Sequence, residues 1–453
     1  MGTLPGMSVK TQFTAGTAPG ALPLVGHGRQ LLRRPLQFLS ELPQYGDLVE
    51  IRLGPQTAYV PCHQDLLHQV LADDRTFDKG GLLYEKARDF LGNGLGSCPH
   101  AEHRAQRRLL QPAFRPERLA QYGAAMEHRL GPLQESWYDG CVIDAFSTWY
   151  HFTLGTAVRA LFSTDIADTT ARRIERSFDV MLGNIFARML VPGPLQKLPT
   201  PGRRRYAGAI ADLHGAIDEL IDRYRETGED HGDVLSVVLA SGGRMGREPT
   251  PTELHDQMVT LLAASSETSA ATLTWACLLL AQDGELQERL RAEVDEVLDG
   301  DQARWEHVPR LEFTRRVLTE TMRLYPAGWL LTRITTGPGA ELAGHPIPAG
   351  STVVFSPYVV QRRADLFERP DAFDPDRWLP ERAAGLPRGA FAAFGGGARK
   401  CIGDTFALGE TAVALASVVS RWHLEVAPGA DLRPARLATI LRPRRLGIRL
   451  RAR

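Results

Sequence analysis

The sequence predicts a mainly α fold with small β-sheets, an α+β protein in which helices dominate. Helical periodicity prevails from about residue 100 to residue 320, and strand-like alternation is confined to short segments on either side. One apolar segment, residues 250–284, is long enough as a helix to cross a protein interior. Hydrophobic residues make up 43% of the chain and charged residues 23%, which is typical of a soluble globular protein.

The charge balance and the cysteines exclude several classes of protein. Lys and Arg total 53, as do Asp and Glu, so there is no basic surplus for nucleic-acid binding. The N-terminal region lacks a signal-peptide pattern and an apolar run of about 18 residues, so we expect a cytoplasmic protein without a membrane span. Cysteines that are few, odd in number and widely spaced indicate reduced thiols rather than disulfides or zinc ligands. They are Cys62, Cys98, Cys141, Cys277 and Cys401.

Loop and strand signals lie toward both ends of the chain. Residues 1–18 are rich in Gly, Thr and Ala, which predicts a flexible N-terminal segment. Residues 47–62 alternate around a Gly-Pro turn and contain many β-branched residues, so they predict a β-hairpin. Strand patterns return at residues 340–360 and 437–450. The sheets are therefore expected to be small and to flank the helical region.

The segment 250–284 is the clearest single element. Thr250 is a suitable N-cap, Pro251 suits the first helical position, and Glu253 completes a capping box. Gly284 offers a left-handed stop. A helix of this extent would be roughly 50 Å long at about 1.5 Å per residue.

The stretch ASSET, residues 264–268, places polar side chains in the apolar middle of this helix. Thr268 has two interpretations: its hydroxyl bonds back to the carbonyl four residues earlier, or it takes part in chemistry. Glu267 needs a partner, a water chain or a function if it is buried. An acid beside an alcohol is suited to a proton relay.

A second charged group is predicted from two separate segments. Glu320 and Arg323 are three residues apart and share one helix face, as an exposed ion pair or as part of a buried network. Arg377 comes from the turn-rich stretch FDPDRW, residues 373–378, shortly before a glycine-rich loop with a cysteine.

That loop reads FGGGARKCIGD, residues 394–404, and suggests either a phosphate cradle or a bound thiolate. A Walker loop requires Gly-Lys followed by Ser or Thr, whereas here Arg399 precedes Lys400 and Cys401 follows it. The phosphate interpretation is therefore rejected. A helix is predicted directly after the cysteine, and its N-terminus and the two cations are expected to favour the thiolate.

These motifs, in this order, resemble the cytochrome P-450 family of haem-thiolate monooxygenases. The loop matches F-x-x-G-x-R-x-C-x-G, Glu320 and Arg323 match E-x-x-R, and ASSET stands where the family carries A-G-x-[DE]-T. The resemblance covers nearly the whole chain. It implies one large P-450 domain, residues 19–453, with the long central helix over haem b. Ser265 departs from the family pattern, and it would either narrow the oxygen groove or donate a hydrogen bond to the oxygen ligand.

The resemblance also implies a role for individual residues. Cys401 would be the axial ligand of the haem iron, and Glu267 and Thr268 would deliver protons. The haem propionates would be bound by His103, Arg107, Arg333 and Arg399. A buried structural triad would be formed by Glu320, Arg323 and Arg377.

The substrate is expected to be apolar, because the segments at the family's pocket positions are mostly apolar. The pocket residues implied by position are Leu83, Tyr84, Phe90, Met181, Ile185, Phe186, Leu262, Ala264, Trp329, Leu330 and Ile440. Segments 19–28 and 188–206 are similar to bacterial P-450s that oxidise terpenes, so a cyclic, sesquiterpene-like terpene of secondary metabolism is expected. The alternatives are a fatty acid, a steroid or a polyketide, and, in another class, a non-catalytic haem-thiolate sensor.

The resemblance also implies partners. The chain has no flavin or iron–sulfur motif, so electrons from NAD(P)H would arrive through a ferredoxin reductase and a ferredoxin. Exposed cations near the cysteine, Arg104, Arg108 and Lys400, would form the docking patch. The protein is expected to be a monomer.

Overall fold

A computed structural model describes residues 12–163, 168–183, 185, 188, 200–227, 230–244, 247–435 and 438–453. Its helices are α1 Gly28–Arg33, α2 Pro35–Glu41, α3 Gln64–Ala72, α4 Gly81–Leu91, α5 His100–Leu110, α6 Pro116–Glu135, α7 Ala145–Phe162, α8 Asp168–Leu182, α9 Pro201–Thr227, α10 Val234–Arg244, α11 Pro251–Ala281, α12 Gly284–Leu298, α13 Glu312–Leu324, α14 Pro357–Val360, α15 Pro380–Ala383 and α16 Asp404–Val419. Its strands are β1 Ala15–Thr17, β2 Leu48–Leu53, β3 Gln56–Pro61, β4 Phe77–Asp78, β5 Val142–Asp144, β6 Leu331–Thr335, β7 Ala340–Leu342, β8 His345–Ile347, β9 Thr352–Phe355, β10 Trp422–Val426, β11 Asp431–Pro434, β12 Pro443–Arg445 and β13 Gly447–Ala452. The predicted α+β class is confirmed.

The largest sheet has six strands in the order β1-β2-β3-β9-β6-β4. The predicted hairpin is its β2–β3 pair, which is antiparallel in the register Leu53↔Gln56. The predicted C-terminal strand regions supply β7, β8, β9 and part of the smaller sheets. At the other edge, β4 pairs with β6 and Asp78 lies opposite Ile334. This register brings the chain just after Asp78 close to Arg333.

The N-terminal strand corrects one prediction. We predicted residues 1–18 as flexible, and this was wrong for residues 12–18, because β1 runs parallel to β2 at the sheet edge. The backbone N–H of Thr14 donates to the carboxylate of Asp47 at 2.9 Å. A Cβ atom at Gly16 would lie 2.0 Å from the carbonyl oxygen of Tyr45, so glycine permits this contact. Residues 1–11 lie outside the described residues.

Helix α11 is the predicted central helix, and its start matches the sequence prediction. The Thr250 hydroxyl accepts from the N–H of Glu253, and the Glu253 carboxylate accepts from the N–H of Thr250 at 2.8 Å. Its end differs: the C-cap is Gln282, and Gly284 is already the first residue of α12, whose N-cap is Asp283. Asp283 caps the start of α12 directly after α11, so α11 ends without a glycine in the left-handed conformation.

The position of α11 determines where the site lies. It packs against α7, α13, α16 and β10, and most of its side chains belong to the largest hydrophobic cluster. Helix α16 starts three residues after Cys401, so the cysteine loop joins directly to a helix that packs on α11. Within the described part of the chain, no helix is both long and apolar enough to cross a membrane.

Candidate active site

The cysteine loop is a tight turn that ends at Cys401. A 3₁₀ turn covers Gly397–Arg399, and the N–H of Cys401 donates to the carbonyl of Phe394 at 2.9 Å. Gly397 has φ = +61°, and a Cβ atom there would lie 2.2 Å from the carbonyl oxygen of Leu71. Only glycine suits this position. The glycine run therefore serves the close approach of two backbone segments.

The side chain of Cys401 is exposed, yet the protein around it desolvates the thiol and raises its pKa. The backbone N–H of Gly403 opposes this effect only in part. The two cations that were predicted to favour the thiolate, Arg399 and Lys400, are each paired with carboxylates. Lys400 pairs with Asp404 at 2.6 Å, and Arg399 pairs with two other carboxylates. A metal cation bound at the sulfur would lower this pKa and favour the thiolate.

Helix α11 faces an open space at the ASSET segment. Ala264 is exposed, although its neighbours Leu262 and Ser266 are fully buried. Thr268 lies one turn further along the same face and is half-buried. Its hydroxyl donates to the carbonyl of Ala264 at 2.7 Å, which is the back-bonded arrangement. The hydroxyl oxygen keeps its lone pairs, so it can still accept a hydrogen bond from the open side.

Ser265, which replaces the family's usual glycine, is turned back onto its own helix. Its hydroxyl donates to the carbonyl of Leu261 at 2.8 Å and lies 3.3 Å from the carbonyl of Leu262. The single hydroxyl proton is thus directed along the helix.

Glu267 is an acid that titrates near neutral pH. Burial raises its pKa to about 7, Asp179 adds to the rise, and Arg442 opposes it. Arg442 lies 3.7 Å from Asp179 and stacks on Phe146, so the cation is shared between two acids. Glu267 can therefore both hold and release a proton at neutral pH.

A cluster of two cations, half-buried Lys79 and buried Arg333, lies where β4 meets β6. Lys79 donates to the carbonyl of Gly96 at 2.7 Å, and Arg333 donates to the carbonyl of Thr332 at 2.9 Å and to the Tyr84 hydroxyl at 3.3 Å. Burial lowers the pKa of Lys79, and Arg333 lowers it further. Burial alone would raise the pKa of Tyr84, but the two cations lower it. No carboxylate in the described ranges forms an ion pair with Lys79 or Arg333.

Arg399 borders this cluster, but its partners differ from the prediction. Its guanidinium donates to Asp74 at 2.9 Å, to Asp78 at 2.7 Å and to the carbonyl of Cys98 at 2.8 Å. The two carboxylates offset its charge, and at most two of its five N–H groups are left for a propionate. The contact of Arg399 with a propionate stays a prediction, and these remaining N–H groups are the ones that could make it.

The other two predicted propionate contacts lie on α5. His103 is 5% exposed, and burial, aided by Arg399 and Lys79, lowers its pKa to about 4. It is consequently a neutral hydrogen-bond donor at neutral pH and carries no charge. Arg107 donates to the carbonyl of Lys400 at 2.6 Å, so it joins α5 to the cysteine loop.

The predicted charged triad is brought together in the interior. Glu320 accepts from Nε of Arg323 at 2.8 Å and from Nε of Arg377 at 3.1 Å, and the first two residues are fully buried. Trp378 and the backbone N–H of Asp374 donate to the same carboxylate at 3.0 Å and 3.1 Å. Glu320 and Arg323 therefore belong to a buried network, and the alternative of an exposed ion pair is wrong.

The predicted pocket residues divide into three groups. Leu83, Phe90, Met181, Ile185 and Leu262 are buried in the largest hydrophobic cluster. Trp329 and Leu330 belong to the hydrophobic cluster under the six-stranded sheet. The hydroxyl of Tyr84 accepts a hydrogen bond from Arg333. Ala264 is exposed, and Ile440 is half-buried. Phe186 lies outside the described residues.

Three features fit a haem. Cys401 is exposed at a loop end, α11 is open at Ala264, and half-buried Lys79 and buried Arg333 are cations that would match two propionates. Sequence reasoning missed Lys79. A lysine between a two-residue strand and two glycines carries no distinctive signal, and only the β4–β6 register reveals its position.

Comparisons with known proteins agree with this geometry. The family model described as Cytochrome P450 matches residues 17–448. Pentalenene oxygenase of Streptomyces avermitilis is 49% identical over 97% of this chain and 98% of its own length. Two proteins of Streptomyces melanosporofaciens are also similar. Cyclooctatin synthase is 46% identical over 92% of this chain and 91% of its own length. Cyclooctat-9-en-7-ol 5-monooxygenase is 44% identical over 93% of this chain and 92% of its own length.

The family match spans nearly the whole chain, and the relatives align over almost their entire length. The matched span also contains every predicted site residue, from Leu83 and His103 to Cys401 and Ile440. The chain therefore belongs to the cytochrome P450 family and is a P450 monooxygenase.

Proposed function

We propose that the protein inserts one oxygen atom of dioxygen into a cyclic, sesquiterpene-like terpene of secondary metabolism. The observation that carries this proposal is that three relatives at 44–49% identity are named for the oxidation or synthesis of cyclic terpenes. All three align over more than nine-tenths of this chain. A chain this similar over its full length is expected to act on the same chemical class.

The lining of the open space supports an apolar substrate. Ala264 faces this space from α11, and by family position Leu330 and Ile440 approach it from the chain before β6 and from the C-terminal region. These residues offer neither charge nor strong hydrogen bonds, which suits a hydrocarbon ring system. Ser265 does not change this, since its hydroxyl is bonded within the helix.

In the proposed site, haem b supplies a redox-active iron that activates dioxygen when bound. Cys401 would hold the iron as a thiolate, and its backbone hydrogen bond to Phe394 fixes the loop in place. Lys79 and Arg333 would bind the propionates as charged partners. His103 would add a neutral donor, and Arg107 would hold α5 against the loop.

Glu267 and Thr268 would deliver protons to the oxygen side. Glu267 has a pKa of about 7, so a proton is available at neutral pH and is readily replaced. Thr268 donates to the carbonyl of Ala264 and can accept from the open side at the same time. The helix therefore presents a proton donor and an acceptor in adjacent positions.

Electrons would come from NAD(P)H through a ferredoxin reductase and a ferredoxin in the cytoplasm. Arg104 and Arg108 are exposed on α5, the helix that Arg107 ties to the cysteine loop. An acidic ferredoxin would find a positive surface there, close to the sulfur side. Lys400 contributes less than expected, because Asp404 pairs with it.

A substrate titration tests the proposal. The oxidised holoprotein is titrated with pentalenene, a long-chain fatty acid, a steroid and a macrolide, and the spin-state shift of the Soret band is measured. We expect the tightest binding and a hydroxylated product with the terpene. Tighter binding and turnover of another class would overturn the terpene assignment. Binding without turnover of any class, given a competent electron supply, would indicate the sensor alternative.

A further inference from the structure

A pair of histidines lies between helices at a place that the proposed mechanism does not use. His214 belongs to α9, and His255 lies near the start of α11. Their imidazole rings are in contact, with ring centres 4.8 Å apart and ring planes inclined by 54°. The His255 side chain is only 13% exposed, and His214 is half-buried. The two rings are therefore held within packed structure.

Each ring has one nitrogen whose partner fixes the tautomer of the neutral imidazole. Nδ1 of His255 lies 2.7 Å from a carboxylate oxygen of Asp218, and Nε2 of His214 lies 3.0 Å from the carbonyl oxygen of Phe90. A carboxylate or carbonyl oxygen only accepts hydrogen bonds, so both of these nitrogens donate. The lone pairs of the neutral rings are consequently left on Nε2 of His255 and on Nδ1 of His214.

The free nitrogen of His255 is an orphan. Its Nε2 atom is buried and has no hydrogen-bond partner among the described residues. A buried polar atom of this kind in a native structure indicates a missing partner, such as an ion or an ordered water. A histidine that ligates a metal typically donates its other ring N–H to a carboxylate or a backbone carbonyl, which is how Asp218 and Phe90 hold these two rings.

The spacing of the rings suits one shared ion. A zinc–nitrogen bond of about 2.0–2.1 Å places a ligating ring centre roughly 3.2 Å from the ion, so two rings at about 90–110° around it have centres about 4.5–5.2 Å apart. The observed separation of 4.8 Å lies within this range. Over the part of the chain that the structure describes, no group of three or more His, Cys, Asp or Glu side chains forms a metal site. Two imidazoles would thus be the protein ligands, and water would complete the coordination.

The surrounding helices hold the two rings in place. Helix α11 packs against both α9 and α4. Leu213 and Leu254, each next to one of the histidines in the chain, are buried in the largest hydrophobic cluster. The N–H of Asn93, just after α4, donates to the carboxylate of Asp256 at 2.7 Å, so the end of α4 is bonded to α11 beside His255. Ligands on rigid, packed elements are the ones that keep a metal geometry.

We propose that His214 and His255 form a binding site for a divalent transition-metal ion of the type that imidazole prefers, such as Zn²⁺ or Cu²⁺. Asp218 is a positioning residue in this site, because it orients the His255 ring and places a negative charge beside the ion. The bound ion joins α9 to α11 and thereby stabilises the folded protein. The site does not depend on the function proposed above.

Calorimetric titration of the untagged, metal-free holoprotein with Zn²⁺ tests the site, and Mg²⁺ serves as the comparison ion. We expect one Zn²⁺ to bind per chain and Mg²⁺ not to bind, because Mg²⁺ prefers oxygen ligands. With Zn²⁺ at about 100 times its dissociation constant, the unfolding equilibrium constant should fall about 100-fold. Absence of zinc binding, or equal binding of Mg²⁺, would overturn the proposal.

Variants locate the ion. His214→Gln and His255→Gln should each abolish zinc binding, and Asp218→Asn should weaken it about 10–100-fold. His345→Gln, at an exposed histidine on β8, is the matched control and should bind zinc as wild type does. Unchanged affinity in both ligand variants would refute the site, and unchanged affinity in Asp218→Asn would refute the positioning role alone.

A measurement on wild type makes the test independent of how well the variants fold. Anomalous diffraction at the zinc edge, from crystals of the holoprotein soaked in Zn²⁺, should place an ion between the rings of His214 and His255. An ion found only elsewhere in the molecule would overturn the proposal.

Discussion

Replacing Glu320 by glutamine should destabilise the protein by about 3 kcal/mol. The variant keeps the shape of the side chain but removes the carboxylate that pairs with two buried guanidinium groups, those of Arg323 and Arg377. Its new N–H₂ group also points toward donors, so at least one of them loses its acceptor.

The magnitude follows from the partners that remain. Removing one member of a buried ion pair typically costs about 3–5 kcal/mol. Arg323 keeps three carbonyl acceptors, those of Gln361 at 2.8 Å, Pro370 at 2.7 Å and Ala372 at 3.1 Å. The loss should therefore fall at the lower end of that range.

Urea unfolding followed by circular dichroism measures this loss, and the haem content of the purified protein provides a second readout. Glu288→Gln is the control, because Glu288 pairs with Arg291 at the same i,i+3 spacing but on an exposed face, where such pairs contribute about 0–1 kcal/mol. If Glu320→Gln proves too unstable to purify, Trp378→Phe removes one donor to the same carboxylate and should cost about 1 kcal/mol. Equal effects of Glu320→Gln and Glu288→Gln would refute the buried-network argument.

Three further predictions concern the site. Thr268→Ala should raise peroxide release and lower product per electron, and an unchanged ratio would contradict the relay. Glu267→Gln should give a low rate that is flat between pH 6 and 8, whereas the wild-type rate falls as pH rises through about 7, where the acid loses its proton; parallel profiles would contradict this. Lys79→Met should weaken haem retention more than Lys86→Met does, because Lys79 lies next to Arg333 where β4 meets β6, whereas Lys86 lies on α4 away from that pair; equal retention would argue against a propionate partner.

Local patterns predicted the elements that depend on neighbouring residues. The capping box at Thr250 and Glu253, the hairpin at 47–62 and the i,i+3 spacing of Glu320 and Arg323 all act over a few residues, so the sequence reveals them. The resemblance then placed distant motifs in one site. Whether Glu320 is buried is a tertiary property, and the spacing alone left it open.

The residues that sequence reasoning missed depend on contacts between distant segments. Lys79 becomes part of a cationic cluster through the β4–β6 pairing. The carboxylate partners of Arg399 are Asp74, in the loop after α3, and Asp78, at the end of β4; both lie more than 300 residues earlier, and no local pattern links them to Arg399. The β1 strand escaped prediction for a similar reason, since three residues without alternation become a strand only beside β2.

The carbon monoxide difference spectrum of the reduced holoprotein tests thiolate ligation by Cys401 most directly. Exposed Cys401, the open face of α11 and the cations Lys79 and Arg333 predict a bound haem whose Soret band shifts to the long-wavelength position typical of thiolate ligation. Cys401→Ser should abolish this band, and Cys141→Ser, a change at a half-buried cysteine outside the site, should leave it unchanged. A wild-type band at the position of a histidine-ligated haem, or a Cys401→Ser variant that retains the thiolate band, would contradict the assignment.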